Sequence, residues 1–317
     1  MRCVVIGTTE CARSLAKGIL KSGHTLAAVI SLKKELLPNN SISLELFARE
    51  HGALYFEVSD INQEELLLKN LKMDILVCVW PKILRENIFK IPEITICAHP
   101  TELPNNRGRH ALHWSKVLGL KQSALTFFEV DSGIDTGKII LQKFFELDES
   151  DTINTLNDKI NILAEAGIQE ILNNCELITN RKSQRQGGNY WRKRNLHDVL
   201  LDMRMSKEMI INIVKSFCSP YPCAKLIVDD RVIDIQEAYE VQGLECPINI
   251  EHGKVFNLSS CEIVAKCENG LIGLKSKNDK DFEFLMNAFD ERGGGYIFIL
   301  QVIIWSNTKL SFSVSGG

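Results

Sequence analysis

The sequence predicts an α/β fold, a parallel sheet covered by helices and followed by a smaller β-rich unit, and three features predict it. Apolar runs of strand length alternate with helical patterns over the first 172 of 317 residues. The runs RCVVI, LAAVIS and DILVCVW are nearly continuous in apolar residues, as strands buried on both faces must be. Beyond about residue 220 the helical period gives way to short β-rich segments with turns at DD, ENG and GLIG.

Arg2 to Ile6 reads as a buried strand bounded by Gly7. Residues 10–22 place Ala12, Leu15, Ala16, Ile19 and Leu20 on one helical face, and Gly23 ends that helix. Residues 26–31 form a second strand, 41–51 a helix, 53–58 a third strand and 62–71 another helix. The most strongly apolar strand of this half is 74–80, and strand 94–100 carries His99 at its carboxyl end. The helix ALHWSKVLG, the strand LTFFEV (125–130) and the strand KIILQKFFEL (138–147) follow. Alternation of this kind implies a parallel sheet with helices on both faces, whose ligands gather at the carboxyl ends of the strands.

Residues 152–172 predict a long helix with Asp151 as its cap. The polar, basic run RKSQRQGGNYWRKRN reads as a surface loop, and 205–217 as a helix ended by SPYPCA. Short strands are predicted at 224–228, 231–235, 261–267 and 271–275. YIFILQVIIW (296–305) is broken by Gln301 and is about half a membrane span, so it reads as a buried strand. The amino terminus lacks the pattern of a secretory signal. Ten scattered cysteines without a C-x-x-C pair predict reduced thiols and a cytoplasmic protein, with no metal site. A net charge of −3 argues against the broad basic face that grips a phosphate backbone.

The chemistry is concentrated in HPTELPNNRGRHALHW (99–114) and in DSGIDTGKII, which holds Asp135. A histidine titrates near neutrality, so His99 can donate to a developing oxyanion or carry a proton. Asp135 can orient that imidazole and accept a proton, the base-plus-orienter arrangement of acyl-transfer sites. Gly7-Thr8-Thr9 is a tight turn and no dinucleotide fingerprint. His110 and His113 are spaced as metal ligands could be, but no third ligand accompanies them.

With Pro100, Leu103, Pro104, Arg107, Gly108 and Gly137 in register, this pairing resembles the core of the 10-formyltetrahydrofolate-dependent formyltransferases. That core reads roughly Asn-x-His-Pro-Ser-x-Leu-Pro-x-x-Arg-Gly, then Asp-x-Gly. The resemblance spans about residues 1–275 and is specific across 94–142. It implies a Rossmann-like parallel-sheet formyltransferase domain over 1–185, then a linker helix and β-rich C-terminal domain over 186–317. His99 and Asp135 take the catalytic roles, and 10-formyltetrahydrofolate is the co-substrate. Cys97 stands where the family has asparagine and completes the catalytic set only as a weak S–H donor. Three explanations stand open: His99 and backbone donors suffice, Asn105 or Asn106 substitutes, or the chain binds without efficient turnover.

By the same resemblance, the pterin slot has Trp80, Lys82, Ile83 and Leu84 on one wall. Val130, Asp131, Gly133 and Ile134 lie on the other. GGNYWRKRNLHDVLLDM and SPYPCAK resemble the region after the catalytic domain of sugar N-formyltransferases, with Cys223 in place of a glycine. Arg107, Gly108, Asn105, Asn106, Tyr190, Trp191 and Arg192 are the expected acceptor contacts, and Tyr190, Trp191, Arg192 and Arg194 are suited to stacking on a base or meeting a diphosphate. The expected acceptor is a nucleotide-linked amino sugar, with no membrane partner; a homodimer is compatible with this reading. GKVFNLSSCEIVAKCENGLIGLKS also looks like the C-terminal domain of methionyl-tRNA formyltransferase, which keeps tRNA as the alternative acceptor. A folate- or nucleotide-binding relative without turnover is the rival from another class.

Overall fold

A computed structural model describes residues 1–228 and 231–286. The first strands follow the predicted order: β1 (Arg2–Gly7), β2 (Thr25–Leu32), β3 (Leu54–Val58), β4 (Ile75–Val79) and β5 (Ile94–His99). They alternate with α1 (Glu10–Lys21), α2 (Glu45–Glu50), α3 (Glu65–Asn70) and α4 (Glu86–Phe89). Helix α1 buries Ala12, Leu15, Ala16 and Ile19, while Leu20 is half-exposed. Each fully buried Leu or Ile contributes roughly 1.5–3 kcal/mol. Helix α2 is shorter than predicted, because Ile42 leaves the helical path to donate its N–H to the Thr8 carbonyl at 2.9 Å.

The chain continues through β6 (Arg107–Gly108), α5 (Ala111–Val117), β7 (Gln122–Glu129) and β8 (Ile139–Glu146), and of these strands β7 and β8 join the main sheet while β6 lies outside it. Its order is β3-β2-β1-β4-β5-β7-β8. Strands β1 to β5 are mutually parallel, but β7 runs antiparallel to β5, and β8 antiparallel to β7. The expected parallel sheet is present over β1 to β5, and β7 and β8 add an antiparallel edge that the sequence did not predict. The seven-residue α5 advances only about 10 Å, too little to carry the chain back to the amino end of β5 before β7 begins.

The antiparallel edge changes how the site is assembled. His99 does lie at the carboxyl end of a parallel strand. Glu129, the last residue of β7, pairs with Ile96, and Val130 donates to the Thr95 carbonyl at 2.8 Å. The loop 131–138 starts below the strand end and doubles back to bring Asp135 to His99.

Helix α6 (Ile153–Asn173) packs along α1 and buries Leu156, Ile160, Ala164 and Ile168. Its cap is Thr152 and not Asp151: the Thr152 hydroxyl accepts from Thr155 N–H at 3.4 Å. Asp151 instead accepts from the Asp148 N–H and pairs with Lys159, both within 2.8 Å. After α7 (Glu176–Thr179), the run predicted as a surface loop pairs twice with the preceding unit. Lys182 bridges Ile139, and β9 (Tyr190–Trp191) lies parallel to β6.

Helix α8 (Lys207–Ser216) precedes an antiparallel sheet of β10 (Ala224–Val228), β11 (Arg231–Glu240), β12 (Val255–Leu258), β13 (Glu262–Cys267) and β14 (Gly270–Ser276). The strand order is β10-β11-β14-β13-β12; β12 was not predicted, and β11 runs five residues further than expected. Val117 of α5 shares a core with Phe217, Ile235, Leu274 and Phe282. The predicted strand at 296–305 lies outside the described residues. Among the described residues no helix is long and apolar enough to cross a membrane.

Candidate active site

Alternate residues of a strand share a face, so Cys97 and His99 project from the same side of β5. The loop that follows is tied down locally. Thr101 Oγ1 donates to the Asn105 carbonyl at 3.0 Å, and Thr126 Oγ1 donates to the Thr101 carbonyl at 2.6 Å. Asn106 then turns at φ +62°, which aims its carbonyl at His99 Nε2, 3.0 Å away. A carbonyl only accepts, so this bond assigns the proton of a neutral His99 to Nε2. Nδ1 is left as a lone pair 3.6 Å from Asp135 Oδ2, too far for a hydrogen bond and within reach of an ion pair once the ring is protonated.

Asp135 occupies the left-handed region at φ +54°, a conformation costing about 1–3 kcal/mol for a residue with a β-carbon. Its surroundings enforce it. Gly108 N–H donates to Oδ2 at 2.8 Å, while Gln184 Nε2 and Arg107 Nε donate to the Asp135 carbonyl at 2.8 and 3.2 Å. Gly108 is itself at φ +102°, and a β-carbon there would stand 2.3 Å from the Trp191 carbonyl. The β6–β9 pairing and the glycine together press the Arg-Gly step against Asp135.

The expected acceptor contacts divide. Arg107 is buried and engaged: Nη2 donates to Gln184 Oε1 at 2.6 Å, and the guanidinium lies 5.4 Å from the Tyr190 ring centre. Arg192 forms a two-point pair with Asp198 and covers Trp114 at 5.0 Å. Tyr190 is exposed, and the Trp191 carbonyl accepts from Arg109 N–H at 3.2 Å. The side-chain amides of Asn105 and Asn106 have no hydrogen-bond partner among the described residues, so both are free to meet a ligand.

Of the expected folate contacts, Trp80, Leu84 and Val130 pack on one apolar cluster with Cys78, Ile88 and Phe89, so the two walls meet. Lys82 and Ile83 are exposed at its margin, as are Gly133 and Ile134. Asp131 closes a turn of its own, accepting from Gly133 N–H at 3.0 Å and from Thr136 Oγ1 at 2.7 Å. Trp80 Nε1 is buried with no partner among the described residues.

Cys97 is the register partner of Cys78 on β4. A hydrogen bond with the Cys78 thiol and then burial push the Cys97 thiol well above its usual range, with Asp135 adding in the same sense. A thiol so held is protonated and unreactive. Iodoacetamide at mildly alkaline pH is therefore expected to label exposed Cys175 long before Cys97, as peptide mass spectrometry would read; early labelling of Cys97 would contradict the assignment. Cys97→Asn is expected to lower turnover, because the larger amide crowds a strand face already filled by Cys78 and His99. A rise in kcat would show instead that the missing amide limits the rate.

His110 accepts from Arg194 at Nδ1, and burial followed by the charge of Arg194 lowers its pKa to about 4. His113 Nδ1–H donates to the Ser216 carbonyl at 2.8 Å. Both imidazoles are thus committed to structural bonds. Gln184 is the residue that sequence reasoning missed. It lies in a polar run without periodicity, and no local signal marks it.

The sequence family described as formyl transferase matches residues 1–172. Methionyl-tRNA formyltransferase of Kosmotoga olearia is 25% identical over 287 residues, covering 86% of this chain and 90% of the relative. That of Pelotomaculum thermopropionicum is 26% identical over 292 residues, with the same coverage of 86% and 90%. Among solved structures, HypX from Aquifex aeolicus aligns with a TM-score of 0.65 at 15% identity, covering 92% of this chain; the chain spans 48% of HypX. The N-formyltransferase from Helicobacter canadensis, solved with folinic acid and dTDP-3-aminofucose, aligns with a TM-score of 0.63 at 17% identity, covering 87% of this chain and 98% of that one. At such identities the structural likeness speaks to fold.

Proposed function

The chain belongs to the formyl transferase family, and from that premise we propose that it transfers the formyl group of 10-formyltetrahydrofolate to the amine of a nucleotide-linked amino sugar. Formyl transfer and the folate co-substrate come with the family. The observation that carries the reading is the closed set Asn106–His99–Asp135–Gly108. When an amine attacks a formyl carbon, negative charge collects on the formyl oxygen and the nitrogen must lose a proton. Asp135 and the free Nδ1 of His99 face each other where such a proton can be held. The protonated ring would then carry an Nδ1–H donor for the oxyanion or for the leaving nitrogen.

The residues present suit a folate. Trp80 offers an aromatic wall and a buried N–H donor without a partner, matching a flat ring edged with acceptors. Cys97 supplies at most an S–H, so the load on His99 is greater than in a site with an amide donor.

The sugar preference rests on a pocket of about 210 Å³ beyond the end of β1, bordered by Thr9, Asn40, Asn157, Asn161 and Tyr221 and by the carboxylates of Glu10 and Asp158. The pocket opens at the amino end of α1, just after β1, and β4 alone separates β1 from the β5 that carries His99. Its lining contains no Lys or Arg and holds two carboxylates, Glu10 and Asp158. Amides and carboxylates meet sugar hydroxyls and an amine, whereas phosphates call for cations, so this pocket suits the amino sugar itself and the nucleotide's phosphates would lie outside it. The alternative, methionyl-tRNA formylation, is favoured by relatives that carry that name over most of this chain. The test is incubation with formyl-labelled 10-formyltetrahydrofolate and a panel of aminated nucleotide sugars. Label in a sugar amide is expected. Folate binding with no acceptor labelled would defeat the transferase reading and favour a binding protein.

A further inference from the structure

We infer that Gln184 is a positioning residue for the reaction, acting through Asp135; this rests on the formyl-transfer reading. One amide makes four bonds. Nε2 donates to the carbonyls of Asp135 and Gly137, both at 2.8 Å, while Oε1 accepts from Arg107 Nη2 at 2.6 Å and Nε at 3.2 Å. Gln184 therefore spans the two segments that build the site, the Arg107–Gly108 step and the Asp135 loop. A residue at φ +54° relaxes unless its neighbours fix it, and the two bonds hold that residue's own carbonyl and the carbonyl two residues on. Gly108 N–H and Asp135 Oδ2 meet at 2.8 Å only while both segments keep this spacing.

The folate-facing half of the same loop is held by other bonds. Val130 is fixed to Thr95, and Asp131 closes its own turn with Gly133 and Thr136. Loss of Gln184 should therefore release the carboxylate and spare the donor wall. That separates positioning from general support of the fold.

Gln184→Glu keeps the size and still pairs with Arg107, but it has no N–H to give the two carbonyls. Measured well below its unfolding transition, it should lower kcat about 10- to 100-fold, since small displacements of a catalytic group carry such costs. Affinity for 5-formyltetrahydrofolate should change less than about threefold, because the donor wall keeps its own ties. In an Asp135→Asn background the same substitution should cost little more, because the group it positions is already disabled. A crystal structure of Gln184→Ala should show Asp135 leaving the left-handed region and its carboxylate parting from Gly108 N–H. An unmoved Asp135, an undiminished kcat in Gln184→Glu, or an equal loss in the Asp135→Asn background would each overturn the assignment. Should the unmodified protein formylate no amine, the reading of function falls, and the crystallographic arm still decides the role of Gln184.

Discussion

Asp135→Asn is expected to lower kcat/KM for formyl transfer by roughly a thousand- to ten-thousand-fold, with donor binding nearly unchanged. The substitution preserves size and still accepts the Gly108 N–H bond. It removes the charge facing His99 Nδ1 at 3.6 Å and the oxygen that can take a proton. General acid–base catalysis is worth about a hundred- to ten-thousand-fold. Here the loss falls toward the upper end, because Cys97 offers no amide to share the work. His99→Ala should fall as far, and the double variant little further, since residues that act as a unit are not additive. Steady-state rates beside a 5-formyltetrahydrofolate titration check this; a loss below about tenfold would remove Asp135 from the chemistry.

The second large effect is expected for Gly137→Ala. A β-carbon on Gly137 would stand 1.6 Å from the Glu129 carbonyl oxygen and 2.8 Å from its carbon. Backbone cannot swing aside as a side chain can, so the β7–β8 connection must open. Glu129 N–H donates to the Lys138 carbonyl at 2.9 Å there, and Arg181 holds the Glu129 carboxylate at 2.6 Å. Overpacking of this kind costs about 1–3 kcal/mol or more, which lowers Tm by roughly 2–10 °C in a chain of this size. The Gly137 carbonyl is also an anchor for Gln184, so activity should fall beyond what the lost stability explains. Calorimetry and rates measured well below the transition separate the two losses; an unchanged Tm would mean that the loop tolerates a side chain.

Much of this architecture is legible in the residues. Continuous apolar runs announced β1, β2 and β4, because strands covered on both faces leave no polar alternation. His99 fell at a strand end, and DSGIDTG marked a turn whose glycine the packing demands. Strand direction was not legible. LTFFEV reads the same whether β7 runs parallel or antiparallel, and only the shortness of α5 decides it. Thr152 and Asp151 are both good caps by type, and choosing between them requires knowing that Lys159 claims the carboxylate. The strap from Gln184 to Trp191 looked like solvated loop because its bonds go to backbone atoms some 50–85 residues away, which no local pattern records. Arg181, Arg192 and Arg194 on either side of it are engaged within the fold, so counting charge overstated what remains for a ligand.

The acceptor is the central claim, and a competition in one vessel tests it most directly. Formyl-labelled 10-formyltetrahydrofolate is supplied with limiting protein, a panel of aminated nucleotide sugars and charged initiator methionyl-tRNA, and the label in each fraction is counted. The pocket lined by amides and two carboxylates, with no cation to meet a phosphate backbone, predicts that label enters the sugar fraction at a kcat/KM well above that for tRNA. Label recovered mainly on methionyl-tRNA would contradict the account.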